Sequence, residues 1–244
     1  MSALAESQEI AVQDVDLAAS PLRELNRRLH AAAGAEGPRR WRVRNPNGLH
    51  AIAVGMDAEH VVEIHGHVGY YCAGMNQHAT VRVHGNCGVG VAENMMSGTV
   101  VVEGNASQAA AATAHGGLLV VRGDASARCA ISLKGADVVV GGSVGHLSAF
   151  MAQTGALLIC GNAGEALGDS IYEARVYVRG AVTSLGADCI EKPMAAEHLV
   201  QVRNLLDRAE IAGADPAEFR RYGSARQLYT FHPDDAVPYR QEAS

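Results

Sequence analysis

The sequence predicts an all-β fold: a single-stranded parallel β-helix of about seven nineteen-residue coils, with helical N- and C-terminal extensions. Three observations carry that expectation. Gly66, Gly85, Gly104, Gly123, Gly142, Gly161 and Gly180 stand nineteen residues apart. Aliphatic residues stand two and four positions ahead of each glycine, from Ile64 and Val62 to Val178 and Val176, the alternation of a short strand with one buried face. Seven positions behind each glycine comes a small residue: Ala73, Ala92, Ala111, Ala130, Ala149, Gly168 and Ala187. Stacked coils turn each such column into a ladder with rungs about 4.8 Å apart, and narrow corners admit only small side chains. The repeat glycine itself is expected to close each strand by turning with positive φ.

The coils occupy 41–193, between an N-terminal arm at 1–40 and a tail at 194–244. Residues 1–19 show no sustained period. Ser20-Pro21 opens a short helix over 21–32, with Leu22, Leu25 and Leu29 on one face and Gly34 beyond its end. That stripe needs cover, either from the first coil or from another protein. A loop with Gly37-Pro38 leads into a basic strand in which Arg39, Arg40, Arg42 and Arg44 surround Trp41, and Asn45-Pro46-Asn47-Gly48 is a turn. The arginines read as a solvated or partner-facing run. His50 to Val54 reads as a first, irregular coil. Pro193 ends the repeat, and helical spacing takes over from Ala195 to Ile211, closed by Gly213. A second short helix is expected from Asp215-Pro216 to Tyr222, followed by a tail bearing Tyr229, Phe231 and Tyr239. Aromatics gathered there are expected to pack on the solenoid or on a partner.

Composition excludes several classes. The chain is 48% hydrophobic but only 5% aromatic, which suits thin stacked layers. Its net charge is −6, and residues 45–190 hold eleven acids against six bases, unlike a nucleic-acid surface. No run approaches the roughly 20 apolar residues of a membrane span, and a cytoplasmic location is expected. Five cysteines occupy unrelated positions and form neither a disulfide framework nor a metal motif.

Catalytic equipment is sparse. Gly85 to Gly90 is rich in glycine after a strand, but its glycines belong to the repeat and no helix pattern follows, so a dinucleotide loop is not expected. His65 and His84 share a column on adjacent coils, yet that column continues as Glu103 and Arg122 without a third ligand, and no metal site is assigned. No nucleophile elbow and no cysteine with an identifiable base is present. Neither catalytic nor cofactor-binding residues are assigned to this chain. Three stretches depart from simple coil chemistry and offer a partner surface: Met75 and Asn76; Glu93, Asn94, Met95 and Met96; and Asp169, Tyr172 and Glu173. Methionine and amide side chains at a corner serve either packing or protein contact.

Those stretches carry a family likeness. Gly-Tyr-Tyr-Cys-Ala-Gly-Met-Asn from Gly69, Gly-Val-Ala-Glu-Asn-Met-Met-Ser-Gly from Gly90 and Leu-Gly-Asp-Ser-Ile-Tyr-Glu-Ala from Leu167 resemble the GXGXG domain, the right-handed β-helix that ends the large subunit of glutamate synthase. The free-standing size, with Pro-Leu-Arg-Glu-Leu-Asn from Pro21 and Arg-Tyr-Gly-Ser-Ala-Arg from Arg221, looks more narrowly like the separate GXGXG subunit of N-methylglutamate synthase. The resemblance implies a non-catalytic scaffold. Its partners would be a class II glutamine amidotransferase-like subunit and a glutamate-synthase-like subunit carrying FMN and an iron–sulfur cluster. Together they would convert methylamine and glutamate to N-methylglutamate and ammonia. The C subunit of formylmethanofuran dehydrogenase, or of the related formyltransferase–hydrolase complex, has a similar β-helix and is the alternative. A stand-alone solenoid enzyme fits less well, since nineteen is not a hexapeptide multiple and no coil carries an inserted loop. Extensions 1–40 and 194–244 are candidates for contacts between chains, so removing 194–244 is expected to leave the coils folded.

Overall fold

The computed structural model describes residues 12–32 and 39–226. Its core is one parallel sheet wound as a β-solenoid of about seven turns. The strands are β1 (Val12–Asp16), β2 (Arg40–Arg44), β3 (Val61–His65), β4 (Thr80–His84), β5 (Thr99–Val102), β6 (Leu118–Val121), β7 (Lys134–Val140), β8 (Thr154–Ile159) and β9 (Arg175–Val178), stacked in that order. From β3 to β9 the register advances by nineteen residues per coil, so Ile64 lies beside Val83 and Val140 beside Ile159. The step from β2 to β3 is longer: Val43 pairs with Ile64, a coil of twenty-one residues that matches the irregular first coil.

Each inward column packs as its residue types dictate. Ile64, Val83, Val102, Val121, Val140, Ile159 and Val178 are fully buried, as are Val62, Val81 and Val100 in the column two positions earlier. Fully buried aliphatics of this size contribute about 1.5–3 kcal/mol each.

The repeat glycines serve a different purpose from the expected one. Among the seven only Gly66 has φ in the left-handed range. A Cβ on Gly85 would lie 2.5 Å from Gly66 O, and one on Gly161 would lie 2.6 Å from Gly142 C. Glycine is needed there because one coil's backbone rides directly on the next.

Left-handed backbone occurs instead at the opposite corner. Tyr71, Ala73 and Met75 take φ of 59°, 53° and 56°, and the triplets Gly90/Ala92/Asn94, Ala109/Ala111/Thr113, Arg128/Ala130/Ser132, Leu147/Ala149/Met151 and Ala166/Gly168/Ser170 repeat the pattern. A non-glycine residue pays about 1–2 kcal/mol for this conformation. The compensation is a hydrogen bond at each step, alternating in direction: Tyr71 N donates to Val89 O on the following coil (2.8 Å), Ala73 N to Ile52 O on the preceding one (2.9 Å), and Met75 N to Glu93 O (2.8 Å). The middle residue points inward against its neighbours, which is why its column is small.

A polar ladder follows the repeat glycine. Asn86 Oδ1 accepts from Asn105 N, Asn105 Oδ1 from Asp124 N, Asp124 Oδ1 from Ser143 N, Ser143 Oγ from Asn162 N and Asn162 Oδ1 from Ala181 N, at 2.7–3.0 Å. Asn86 is thus a rung of this ladder, with no helix behind it.

The described parts of both extensions pack on the solenoid. Helix α1 (Leu22–Ala32) buries Leu25 and Leu29 over the first coil. Asn26 holds it there, donating to Ala51 O at 2.8 Å and accepting from Ala53 N at 3.1 Å, while His30 Nε2 donates to Val54 O at 2.7 Å. Residues 12–16, read as lacking a period, form β1 and pair with β2. Arg42 and Arg44 of the basic strand face Asp14 at 3.6 and 3.8 Å.

After β10 (Cys189–Lys192), helix α2 (Ala196–Arg208) turns back across the outer face of the sheet. Its Val202, Leu205 and Leu206 pack with Val101, Val120, Val139, Leu158 and Tyr177 in a second core. The expected helix from Asp215 to Tyr222 is instead a 3-10 turn at Pro216–Glu218 followed by strand β11 (Arg220–Ser224). That strand inserts antiparallel between β9 and β10, because the unpaired edge of β9 offers ladder hydrogen bonds that outweigh local propensity. Removal of 194–226 would therefore uncover that second core and the edge of β9. Gly34, Gly37, Pro38, Tyr229, Phe231 and Tyr239 lie outside the described residues, as do 1–11.

Candidate functional site

Two parts of the surface concentrate chemistry: the left-handed corner and the uncovered portion of the outer sheet face. At the corner, the residues singled out in sequence divide by direction. Met75, Met96 and Tyr172 are 44%, 48% and 44% exposed. Glu173 is exposed, and Glu93, Asn94 and Asp169 are half-buried. Asn94 Oδ1 accepts from Thr113 Oγ1 at 2.5 Å, and Asp169 Oδ1 from Ser170 Oγ at 2.8 Å.

Two of the nine are corrected. Met95 is fully buried in the core, and Asn76 is fully buried with its Nδ2 donating to Ala79 O at 2.8 Å and Ser97 O at 3.1 Å. Neither can meet a partner from outside; alternation along the chain turns them inward beside exposed Met75 and Met96. Sequence inspection missed Met151, which is exposed; Tyr70, in the first of the three stretches, is exposed as well and stacks on His50 at 4.4 Å. Met151 occupies the same position of its coil as Met75, a signal the column supplied.

The outer face changes character along the axis. Three positions ahead of the repeat glycine the residues run Glu63, Arg82, Val101, Val120, Val139, Leu158 and Tyr177: charged on the first coils, apolar where α2 covers them. At the boundary, Arg82 and Arg122 flank Glu103, and Arg122 Nη2 reaches Glu210 at 3.1 Å. Arg122 also donates to Ala209 O, placing its charge at the C-terminus of α2, where the helix dipole favours a cation. Beyond this network, His65 and His84 are paired in register and stack with centroids 4.5 Å apart. Glu63, two residues back on the same face, hydrogen-bonds His84 Nε2. The structure therefore adds a third potential ligand that the single-column reading did not contain.

No other reactive group is evident among the described residues. All five cysteines are free and buried, and burial pushes their thiols up, to about 12 at Cys72 and Cys129 and about 11 at Cys189. Such thiols are inert at neutral pH. A cleft of about 140 Å³ beside β11, lined by Glu173, Lys192, Arg221 and Arg226, is below the usual size of a small-molecule site. No described helix is long and apolar enough to cross a membrane.

The fold and surface define a parallel β-solenoid with an ordered polar ladder, capped by α1 at one end and clasped by α2 along one face. No family model matches the chain. It is 58% identical over 225 residues to "Protein GlxC" of Rhizobium meliloti (strain 1021), a match that covers 92% of this chain and 99% of that protein. The chain belongs to the family of GlxC.

Proposed function

We propose that this chain is a non-catalytic scaffold subunit of a glutamate-synthase-like, multi-subunit enzyme. The observation that carries the reading is where the three GXGXG-like stretches fall: each builds a left-handed corner and turns large side chains toward solvent, Tyr70 and Met75 in the first, Met96 in the second and Tyr172 in the third. The five thiols are buried and inert, while an exposed methionine and tyrosine corner rimmed by Glu93, Asn94 and Glu173 suits protein contact. The finer reading is N-methylglutamate synthase. In it an amidotransferase-like subunit and a synthase-like subunit with FMN and iron–sulfur dock on this chain, and the complex forms N-methylglutamate and ammonia from methylamine and glutamate.

The test is mild purification of a tagged chain from its native cell, with mass spectrometry and a visible spectrum of the eluate. Co-elution of both partner classes with a flavin and iron–sulfur spectrum, lost on Met75→Asp/Met96→Asp substitution, supports the reading. A colourless chain eluting alone overturns it, and formyltransferase-type partners would replace it with one-carbon transfer.

A further inference from the structure

We infer that Glu63, His65 and His84 form a binding site for a divalent transition ion of the zinc type. The three offer one carboxylate oxygen and two imidazole nitrogens, all within 4.8 Å of one another. The fold itself brings them together. Register pairing of β3 with β4 places His65 beside His84, and the two-residue period of β3 puts Glu63 on the same outward face. The rings lie nearly parallel, 9° apart.

A tetrahedral ion held at about 2.0–2.2 Å needs its ligand atoms roughly 3.3 Å apart. No two of the ligand atoms lie farther apart than 4.8 Å and Glu63 already touches His84, so χ rotations of these partly exposed side chains can bring all three to that spacing. The Glu63–His84 hydrogen bond is then exchanged for a shared metal. Two imidazoles with one carboxylate favour zinc, cobalt or nickel over magnesium or calcium, which take oxygen ligands. Three protein ligands leave at least one position open to solvent or to a group from a docked chain.

The surrounding charges are engaged elsewhere. Arg42 and Arg44 face Asp14, and Arg82 and Arg122 face Glu103 and Glu210. Glu63 forms no ion pair with an arginine among the described residues, so its carboxylate remains available. The site is also open, because α2 covers the outer face only from Val101 onward. No other pair of histidines shares this column: its later members are Glu103, Arg122, Gly141, Cys160 and Arg179.

Calorimetric titration of the untagged, chelator-stripped full chain with Zn²⁺ tests the site. One high-affinity Zn²⁺ per chain is expected, weakened at least tenfold in His65→Ala and in His84→Ala and several-fold in Glu63→Gln. Zinc should raise the melting temperature of the wild type but not of the His65→Ala/His84→Ala double variant. Circular dichroism checks that the variants fold; should His84→Ala fail, His84→Asn takes its place. Absence of a high-affinity site, or an unchanged isotherm in the double variant, overturns the inference. Neither result bears on the scaffold reading, whose test uses partner co-elution.

Discussion

Replacing Gly85 with alanine tests whether the nineteen-residue glycine is there for close approach or for backbone freedom. The new Cβ would lie 2.5 Å from Gly66 O, 2.6 Å from Gly66 C and 3.0 Å from His67 N, all backbone atoms with no side-chain end to swing aside. Relief to ordinary contact at 3.4 Å requires the two coils to part by about 0.9 Å, the difference between 3.4 and 2.5 Å. That movement lengthens two hydrogen bonds now at 2.9 Å, Val68 N to Asn86 O and Asn86 N to His67 Nδ1, beyond useful range. Overpacking costs about 1–3 kcal/mol and each of the two lost bonds about 0.5–1.5, for a total near 2–6 kcal/mol. Urea unfolding followed by circular dichroism reads this directly. Gly213→Ala is the contrast: its φ is +78° and nothing lies within 4 Å, so only about 1–2 kcal/mol of left-handed strain is expected. Gly85→Asn separates the two explanations, since asparagine tolerates left-handed backbone better than alanine but is bulkier. Recovery of stability in Gly85→Asn relative to Gly85→Ala, or a loss below 1 kcal/mol in Gly85→Ala, would refute the close-approach account.

Three further outcomes follow from the same geometry. Iodoacetamide at pH 8 should leave all five cysteines of the folded chain unmodified, since burial raises their thiols and blocks access, whereas all five should react in urea; mass spectrometry counts the adducts. Leu205→Ala should cost about 2–5 kcal/mol and speed amide exchange in α2 and β8 while leaving β3 and β4 unchanged, because the second core lies only under α2. His198 is 5% exposed, its Nδ1 accepts from Ala195 N, and burial holds its pKa below the ordinary 6.5. The unfolded chain then binds more protons than the folded one below about pH 6.5, so stability should fall from pH 7 to pH 5. His198→Asn keeps an acceptor and should flatten that slope; an unchanged slope would reject the assignment.

Much of the solenoid was legible because its information is periodic. Val62 and Ile64 recur in every coil as the same inward pair, and the small column from Ala73 to Gly168 marks one corner, so a fixed spacing conveys both strand and stack. The purpose of the glycines was misread because sequence reports that a residue lacks Cβ, not whether φ or a neighbouring coil demands it. The polar ladder of Asn86, Asn105, Asp124 and Asn162 stands in one column of the repeat, but its side-chain-to-backbone direction is set by the stacked coils. At the corner, Met75 and Met96 were found together with Met95, whose inward direction follows from the left-handed alternation that no residue type announces.

What the sequence determined by itself was the repeated coil: its period, its inward columns and the resemblance carried at its corners. Only the tertiary structure decided what lies over that coil. The return of α2 onto Val101, Val120 and Val139, the insertion of β11 between β9 and β10, and the meeting of Glu63 with His65 and His84 all join residues from different coils or different columns. Such contacts depend on which edge or face remains unsatisfied once the coils have stacked, a property of the assembled surface rather than of any local pattern.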